Sequence, residues 1–364
     1  MGLAGSWLGL LGDWHWILDL CSHFRWQGTV VALVALAWAG WRKRHGVMGV
    51  AVLTLLLNGW LLAFPAGPGK PGSLQPGFQV RVISFNVLTS NQDHAAVLNW
   101  LQQADADIIF LMEVDRIWEK ALEPLLTTHP HHLIQPRSDN FGLAFYSRLP
   151  LENVRILKED DLLEPEARGA ELCQDSIEAR LTTGGREWIF IGTHPVPPMG
   201  GEYAAGRDRQ LLALSRHIAK AGAPVLVAGD LNASPWSVGF RRIMDGTTLR
   251  AAPGAWKPTW RVGSLFAIPI DHALGTPPLV FADRTIGPYL GSDHRPQVLE
   301  VKMDSQSSAG LKTATCPTNQ LRKLQDQPWR LFVVTNGTTR IFAPQWWSRP
   351  RETEECQSRS NPWY

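Results

Sequence analysis

Apolar residues along this chain fall into three patterns, and the changes between them mark its organisation. Residues 28–41 and 46–64 carry no charge, and only Arg42-Lys43-Arg44-His45 separates them. The second stretch approaches the roughly 20 residues that span a hydrocarbon layer. The first is shorter, but Trp26, Gln27 and Trp41 extend it into the interface, where Trp is favoured. The pair predicts a helical hairpin of transmembrane helices near 28–41 and 46–64. The alternative is one buried core helix preceded by a signal-like segment. A cleaved signal fits poorly, because no basic run follows Met1. Residues 7–24 mix Leu and Trp with Asp13, His15, Asp19 and His23. They predict an interfacial helix in preference to a third, poorer span, since two Asp at bilayer depth would be costly.

From Val80 to about Met303 the pattern becomes that of a soluble α/β domain. Strands are predicted at 80–85, 108–112, 141–146, 224–228, 268–273 and 297–301, with a strand pair at 177–181 and 188–193 joined at Gly184-Gly185. Helical spacing marks 95–103 and 203–221. Strands alternating with helices and hairpins imply packed sheets covered by helices. Residues 65–79 form a linker, with four Pro and four Gly between 65 and 77, and read as an extended spacer. Residues 303–364 are expected to be mostly disordered, apart from a small hairpin in which 331–334 and 341–342 flank Asn336-Gly337.

Charge refines this picture. The chain has a formal net charge of +2, yet residues 80–302 hold 22 Lys and Arg against 26 Asp and Glu. The totals therefore lack the basic excess of a sequence-independent nucleic-acid binder. The basic tetrapeptide belongs on the cytoplasmic side, which places everything after Phe64 outside the cytoplasm. Cys21, Cys173, Cys316 and Cys356 are scattered without Cys-x-x-Cys spacing, which argues against a zinc site or a disulfide framework.

Polar residues at the ends of apolar strands carry the candidate chemistry. They are Asn86 in Ser84-Phe85-Asn86, Glu113 in Leu111-Met112-Glu113, His194 in Gly192-Thr193-His194, and Asp230 and Asn232 in Gly229-Asp230-Leu231-Asn232. Asp271 follows in Ile270-Asp271-His272, then Asp293 and His294 in Gly291-Ser292-Asp293-His294-Arg295-Pro296. Glu113 is a hard oxygen ligand suited to Mg²⁺. Asp230 and Asn232 stand two apart, so on an extended segment both project to one side. His294 needs its tautomer fixed if it is to meet a phosphate, and a buried carboxylate does this.

In this order and spacing the motifs resemble the endonuclease/exonuclease/phosphatase superfamily, the deoxyribonuclease I-like hydrolases, over residues 80–302. With its N-terminal hairpin, the layout looks like bacterial membrane-anchored members. The resemblance implies a four-layer α/β/β/α sandwich and a Mg²⁺-dependent phosphoesterase, with Mn²⁺ as an alternative metal. It implies that Asn86 and Glu113 share the metal shell and that Asp293 takes a metal or water-orienting position. Asp230 would activate the water, Asn232 bind the phosphate, and Asp271 orient a phosphate-contacting His294. His194 would bind phosphate or act as general acid. Arg207 is carried as a substrate contact because similar membrane-linked members have Arg near this point, and Arg295 is expected to pair with a carboxylate. The expected partners are a phosphoester substrate and the lipid bilayer. Acidic balance and anchor tilt the substrate towards a lipid, lipid-linked or small phosphoester. A nuclease acting on nucleic acid is the alternative, and a non-catalytic membrane-anchored interaction module the third reading.

Overall fold

The structure, a computed structural model, describes residues 2–63, 79–163, 172–262, 266–303, 331–335 and 338–342. Two units are distinguished, residues 1–309 and 310–364. The N-terminal helices lie in the first unit, together with the sandwich.

Those helices are α1 (Gly2–Leu8), a 3₁₀ turn (Gly9–Trp14), α2 (Trp16–Ser22), α3 (Arg25–Trp41) and α4 (His45–Ala63). The predicted interfacial helix is therefore broken into short pieces. Its second piece is capped by His15, whose Nδ1 accepts from Ile17 N–H at 3.2 Å. α3 and α4 pack against each other across the basic turn, which is the hairpin predicted from the uncharged runs. α1 lies at its open end, where Asn58 Nδ2 donates to Ser6 Oγ at 2.9 Å and Trp7 Nε1 to Thr54 Oγ1 at 3.0 Å. Among the described residues, α4 alone is long and apolar enough to cross a membrane by length and composition.

The sandwich has two six-stranded sheets. The first contains β1 (Gln79–Asn86), β2 (Ile108–Met112), β3 (His131–Gln135), β4 (Leu143–Ser147), β13 (Leu279–Ile286) and β14 (Gln297–Met303), in the order β13-β14-β1-β2-β4-β3. The second contains β5 (Leu151–Leu157), β6 (Ser176–Thr183), β7 (Arg186–Thr193), β8 (Val225–Asp230), β9 (Arg250–Ala251) and β12 (Asp271–Gly275), in the order β5-β6-β7-β8-β12-β9. A ribbon of β10 (Trp260–Val262) and β11 (Phe266–Ile268) stands apart.

The period-2 alternation of strands assigns the layers. Val82, Phe110, Phe145, Phe190 and Ala228 face the space between the sheets. Their neighbours Ile83, Ile109 and Leu111 face outward onto α5 (His94–Gln103) and α6 (Arg116–Ala121) through Val97, Leu101 and Trp118. Ile189, Ile191 and Val227 face outward on the other side. There they meet α8 (Gly201–Ala219) and α9 (Val238–Met244) through Leu211, Leu214 and Phe240; α7 (Glu159–Leu162) is a single turn nearby. Three apolar layers between four structural layers make the α/β/β/α sandwich.

The inner strands were readable because they are buried on both faces. The strands missed in the sequence are chiefly edges. β3 and β13 border the first sheet and β5 the second, so each keeps one polar side. β13 also carries a bulge between Phe281 and Asp283 that breaks its alternation.

In the second unit, β15 (Leu331–Thr335) and β16 (Thr338–Phe342) pair antiparallel. The predicted linker and most of the predicted disordered tail lie outside the described residues.

Candidate active site

Two parallel strand pairs place the polar residues together. β1 runs parallel to β2 in one sheet, and β7 parallel to β8 in the other. The carboxyl ends of such pairs are where chain leaves the sheet and side chains project free of it. Asn86 ends β1, Glu113 follows β2, His194 follows β7 and Asp230 ends β8. Asp271 starts β12 directly opposite Asp230 in the antiparallel register. Asp293 and His294 come from the loop before β14.

Two glycines make the approach possible. Gly229 has φ 152°, and a Cβ there would lie 1.9 Å from Thr193 O; only Gly brings the end of β8 this close to β7. Gly291 has φ 83°, and a Cβ there would lie 2.1 Å from Asn91 Oδ1. The loop is pinned further by Ser292, whose Oγ donates to Asn86 O at 2.8 Å and accepts from His294 N–H at 3.0 Å.

Asp230 is the hub. Its Oδ2 lies 3.5 Å from His194 Nε2, 3.5 Å from His294 Nε2 and 3.5 Å from Asn86 Nδ2. Its Oδ1 accepts from Asn232 N–H at 2.9 Å. Asn232 takes φ 49°, a conformation Asn tolerates, and donates Nδ2 to Pro195 O at 3.0 Å. Asp271 Oδ2 lies 2.9 Å from His294 Nδ1, and Thr259 Oγ1 accepts from Asp271 N–H at 3.1 Å.

Electrostatics follow from this packing. Burial disfavours a charged His294, but the carboxylates of Asp271 and Asp230 outweigh it and raise its pKa to about 10. Burial pushes Asp230 up, yet His294 and His194 more than offset this and hold it below its ordinary value. Asp271, with burial dominant and Asp230 adding repulsion, is raised.

Glu113 and Asp293 line the same cleft. Asn86 Nδ2 donates to Glu113 Oε1 at 2.8 Å, while its Oδ1 accepts from Leu88 N–H at 3.1 Å. Asn86 therefore orients the carboxylate in this arrangement rather than presenting an oxygen of its own. Asp293 Oδ2 accepts from Trp260 Nε1 at 2.8 Å, but its Oδ1 is buried without a partner. A buried carboxylate oxygen left unpaired is costly unless a cation meets it, and hard oxygen donors suit Mg²⁺ or Mn²⁺. Asp230, Asp271 and His294 also place ligand-type atoms within 4.8 Å of one another. His294 Nδ1 is already held by Asp271, whereas Asp293 keeps an unpaired oxygen, so the oxygens of Glu113 and Asp293 fit a metal better.

Two expected contacts are corrected. Arg207 does not reach into the cleft. Its buried guanidinium donates from Nη1 to Asn232 O at 2.8 Å and from Nη2 to Asp19 Oδ2 at 2.9 Å. A guanidinium this deep must be paired, and two carboxylates pair it: Asp19 from α2 and Asp208, whose Oδ1 lies 2.8 Å away. Arg295 meets carbonyls rather than a carboxylate, donating to Gly287 O at 2.7 Å, and its guanidinium lies over the Tyr289 ring.

Several contributors escaped the sequence reading. Trp260, Thr259 and Ser292 support Asp293, Asp271 and His294, and no local pattern marks the first two. Asp19 is the larger omission. An interfacial helix would leave it facing the interface; instead it is buried, and its Oδ1 also accepts from Val238 N–H at 2.7 Å. Its only signal was an acid within an apolar segment.

The fold has clear relatives. Humanized Danio rerio TDP2 superposes with a TM-score of 0.52 at 15% identity, covering 62% of this chain and 99% of that one. D. rerio TDP2 complexed with single strand DNA product gives 0.51 at 15% identity, with 62% and 99% covered. An endonuclease/exonuclease/phosphatase from Bacteroides vulgatus gives 0.52 at 18% identity, with 62% and 100% covered. At these identities the likeness is one of fold. No curated protein matches the chain in sequence. The model of the Endonuclease/Exonuclease/phosphatase family matches residues 83–294, more than half of the chain and all of the strand-end cluster, so the chain belongs to that family, whose members hydrolyse phosphoester bonds.

Proposed function

We propose that this chain is a membrane-anchored phosphoesterase that uses Mg²⁺ or Mn²⁺. The observation that carries this reading is the convergence of His194 and His294 on Asp230 beside Glu113 and the unpaired Asp293 oxygen. Glu113 and Asp293 would hold the metal, with Asn86 setting the Glu113 carboxylate. The metal's contribution is to neutralise charge on the phosphoryl oxygens.

The chain's own groups divide the remaining work. His294, cationic and fixed by Asp271, donates from Nε2 to a phosphoryl oxygen. Asn232 adds an amide hydrogen bond. Asp230, kept ionised by the two histidines, orients the attacking water and takes its proton. His194 stands on the other side of Asp230, placed to protonate the departing oxygen. Its Nδ1 is buried without a partner, so its tautomer is free to follow that role.

The anchor is supported by surface chemistry. On α3 and α4, Val30, Leu33, Val34, Leu53, Leu56 and Trp60 are each more than half exposed. Left in water, such a surface would be an aggregation hazard; lipid would cover it. At 19 residues α4 reaches about 29 Å, close to the thickness of the hydrocarbon core, while the 17-residue α3 is a few ångströms shorter. With the Arg42–Arg44 turn cytoplasmic, the catalytic cleft lies outside the cytoplasm.

The test is hydrolysis of p-nitrophenyl phosphate and bis-p-nitrophenyl phosphate by the full chain in nanodiscs. Turnover should require Mg²⁺ or Mn²⁺ and stop with chelator. Inertness towards both esters and towards oligonucleotides would leave the interaction-module reading. A reporter fused at the C-terminus should be active only outside the cytoplasm.

A further inference from the structure

The cleft, with a volume of about 560 Å³, has two chemically different ends. The polar end is the strand-end cluster. The rest of its lining is largely apolar, and part of it belongs to the N-terminal helices. Leu20 and Phe24 line the cleft from α2 and the start of α3, together with Met199 and Tyr203. The Phe24 ring meets Phe266 edge-on, with centroids 6.4 Å apart. Met199 is 78% exposed and Phe266 53%, an unusual outlay of apolar surface beside a phosphate site. His23, from the same turn, is buried in the lining with both ring nitrogens unpartnered.

The position of this wall is fixed. Asp19 of α2 is bound to Arg207, which in turn holds the Asn232 carbonyl, so α2 is tied to the catalytic cluster by one buried chain of contacts. The open end of the hairpin rests on the loops that frame the cleft. Gln27 Nε2 donates to Ala267 O at 2.9 Å, Trp26 Nε1 to Trp256 O at 3.3 Å and Trp236 Nε1 to Leu61 O at 2.8 Å. The basic turn lies at the other end of the hairpin. Phe24, in the apolar wall of the cleft, thus stands at the start of α3, the helix that exposes Val30, Leu33 and Val34.

We propose that the cleft takes an amphiphilic phosphoester, with its phosphate at Asp230 and its hydrocarbon chain along Leu20, Phe24 and Met199. This rests on the phosphoesterase reading and names its substrate class. A chain leaving the bilayer beside α3 would stay in contact with apolar side chains up to the phosphate. A nucleic acid could stack bases on the aromatic part of this wall, but its backbone would ask for Lys or Arg along the cleft, and the lining holds neither.

The experiment is a competition series in nanodiscs. Dialkyl phosphates from dimethyl to dihexyl are measured as inhibitors of bis-p-nitrophenyl phosphate hydrolysis, corrected for partition into empty discs. Each added methylene buried on the wall should tighten inhibition by about fourfold. Met199→Asp should flatten the series. Ile117→Asp, an equally apolar and 63% exposed position outside the cleft, should leave it intact. A flat series with the unaltered chain, while hydrolysis proceeds, overturns the amphiphile and leaves the phosphoesterase standing. Absence of metal-dependent hydrolysis overturns the phosphoesterase itself, and the amphiphile with it.

Discussion

The two ends of the cleft are built by opposite means. The polar end is assembled from strand termini, each residue set by the strand that precedes it. The apolar end is assembled by a helix whose key contact, Asp19 to Arg207, spans 188 positions of sequence. The first kind of site is locally encoded, the second only by tertiary packing. The difference teaches that the N-terminal helices are part of the site: α2 is one of its walls and buttresses Asn232 through Arg207.

Substitutions in the two regions should separate sharply. The largest effect belongs to the polar end. His294→Ala removes the cation at the phosphate and should lower kcat about 10²- to 10⁴-fold, measured on bis-p-nitrophenyl phosphate with the fold checked by circular dichroism. Asp271→Asn should fall in the lower part of that range, because His294 loses its charge partner while the metal ligands stay. At the other end, Asp19→Ala leaves the buried Arg207 guanidinium with Asp208 as its one carboxylate, 2.8 Å away, and takes the acceptor from Val238 N–H. It should cost about 1 to 3 kcal/mol of stability, visible as early thermal unfolding in nanodiscs. Asp19→Asn, which keeps a hydrogen-bond acceptor, should recover part of the loss. Equal effects of His294→Ala and Asp19→Ala on kcat at full stability would dissolve the distinction.

The smallest effect at working pH lies away from both regions. Glu178 Oε2 lies 2.6 Å from His217 Nε2. This bond, against the opposing effect of burial and with help from Arg155, lowers the Glu178 pKa from 4.5 to about 2. A depressed carboxylate contributes stability that is complete above pH 4.5 and lost as pH falls towards about 2. Glu178→Gln should therefore flatten the acid limb of a Tm-against-pH curve in that window and leave the neutral-pH rate alone.

How far the sequence went follows the same division. Inner strands such as Ile108–Met112 announced themselves as continuous apolar runs, and their polar successors marked Asn86, Glu113, His194 and Asp230. The structure brings these together with Asn232, Asp271, Asp293 and His294. Edge strands did not show, because an edge such as Leu151–Leu157 keeps a polar face and reads as loop. Arg207 stood out rightly as a notable arginine but for the wrong partner. A helix-borne Arg looks the same whether it meets a phosphate or a buried Asp, and only the packing of α2 decides. Trp260 was invisible because its contact with Asp293 joins a short ribbon to a distant loop.

The central claim is that Glu113 and Asp293 hold a divalent metal over the Asp230 cluster for phosphoester hydrolysis. The most direct measurement is the Mg²⁺ activation curve of bis-p-nitrophenyl phosphate hydrolysis by the full chain, Glu113→Gln and Asp293→Asn. The account predicts saturable activation, with each variant needing at least about tenfold more Mg²⁺ for half-maximal rate, the equivalent of losing about 1.4 kcal/mol of metal binding. Hydrolysis that persists undiminished in chelator, or curves that coincide in all three proteins, would contradict it.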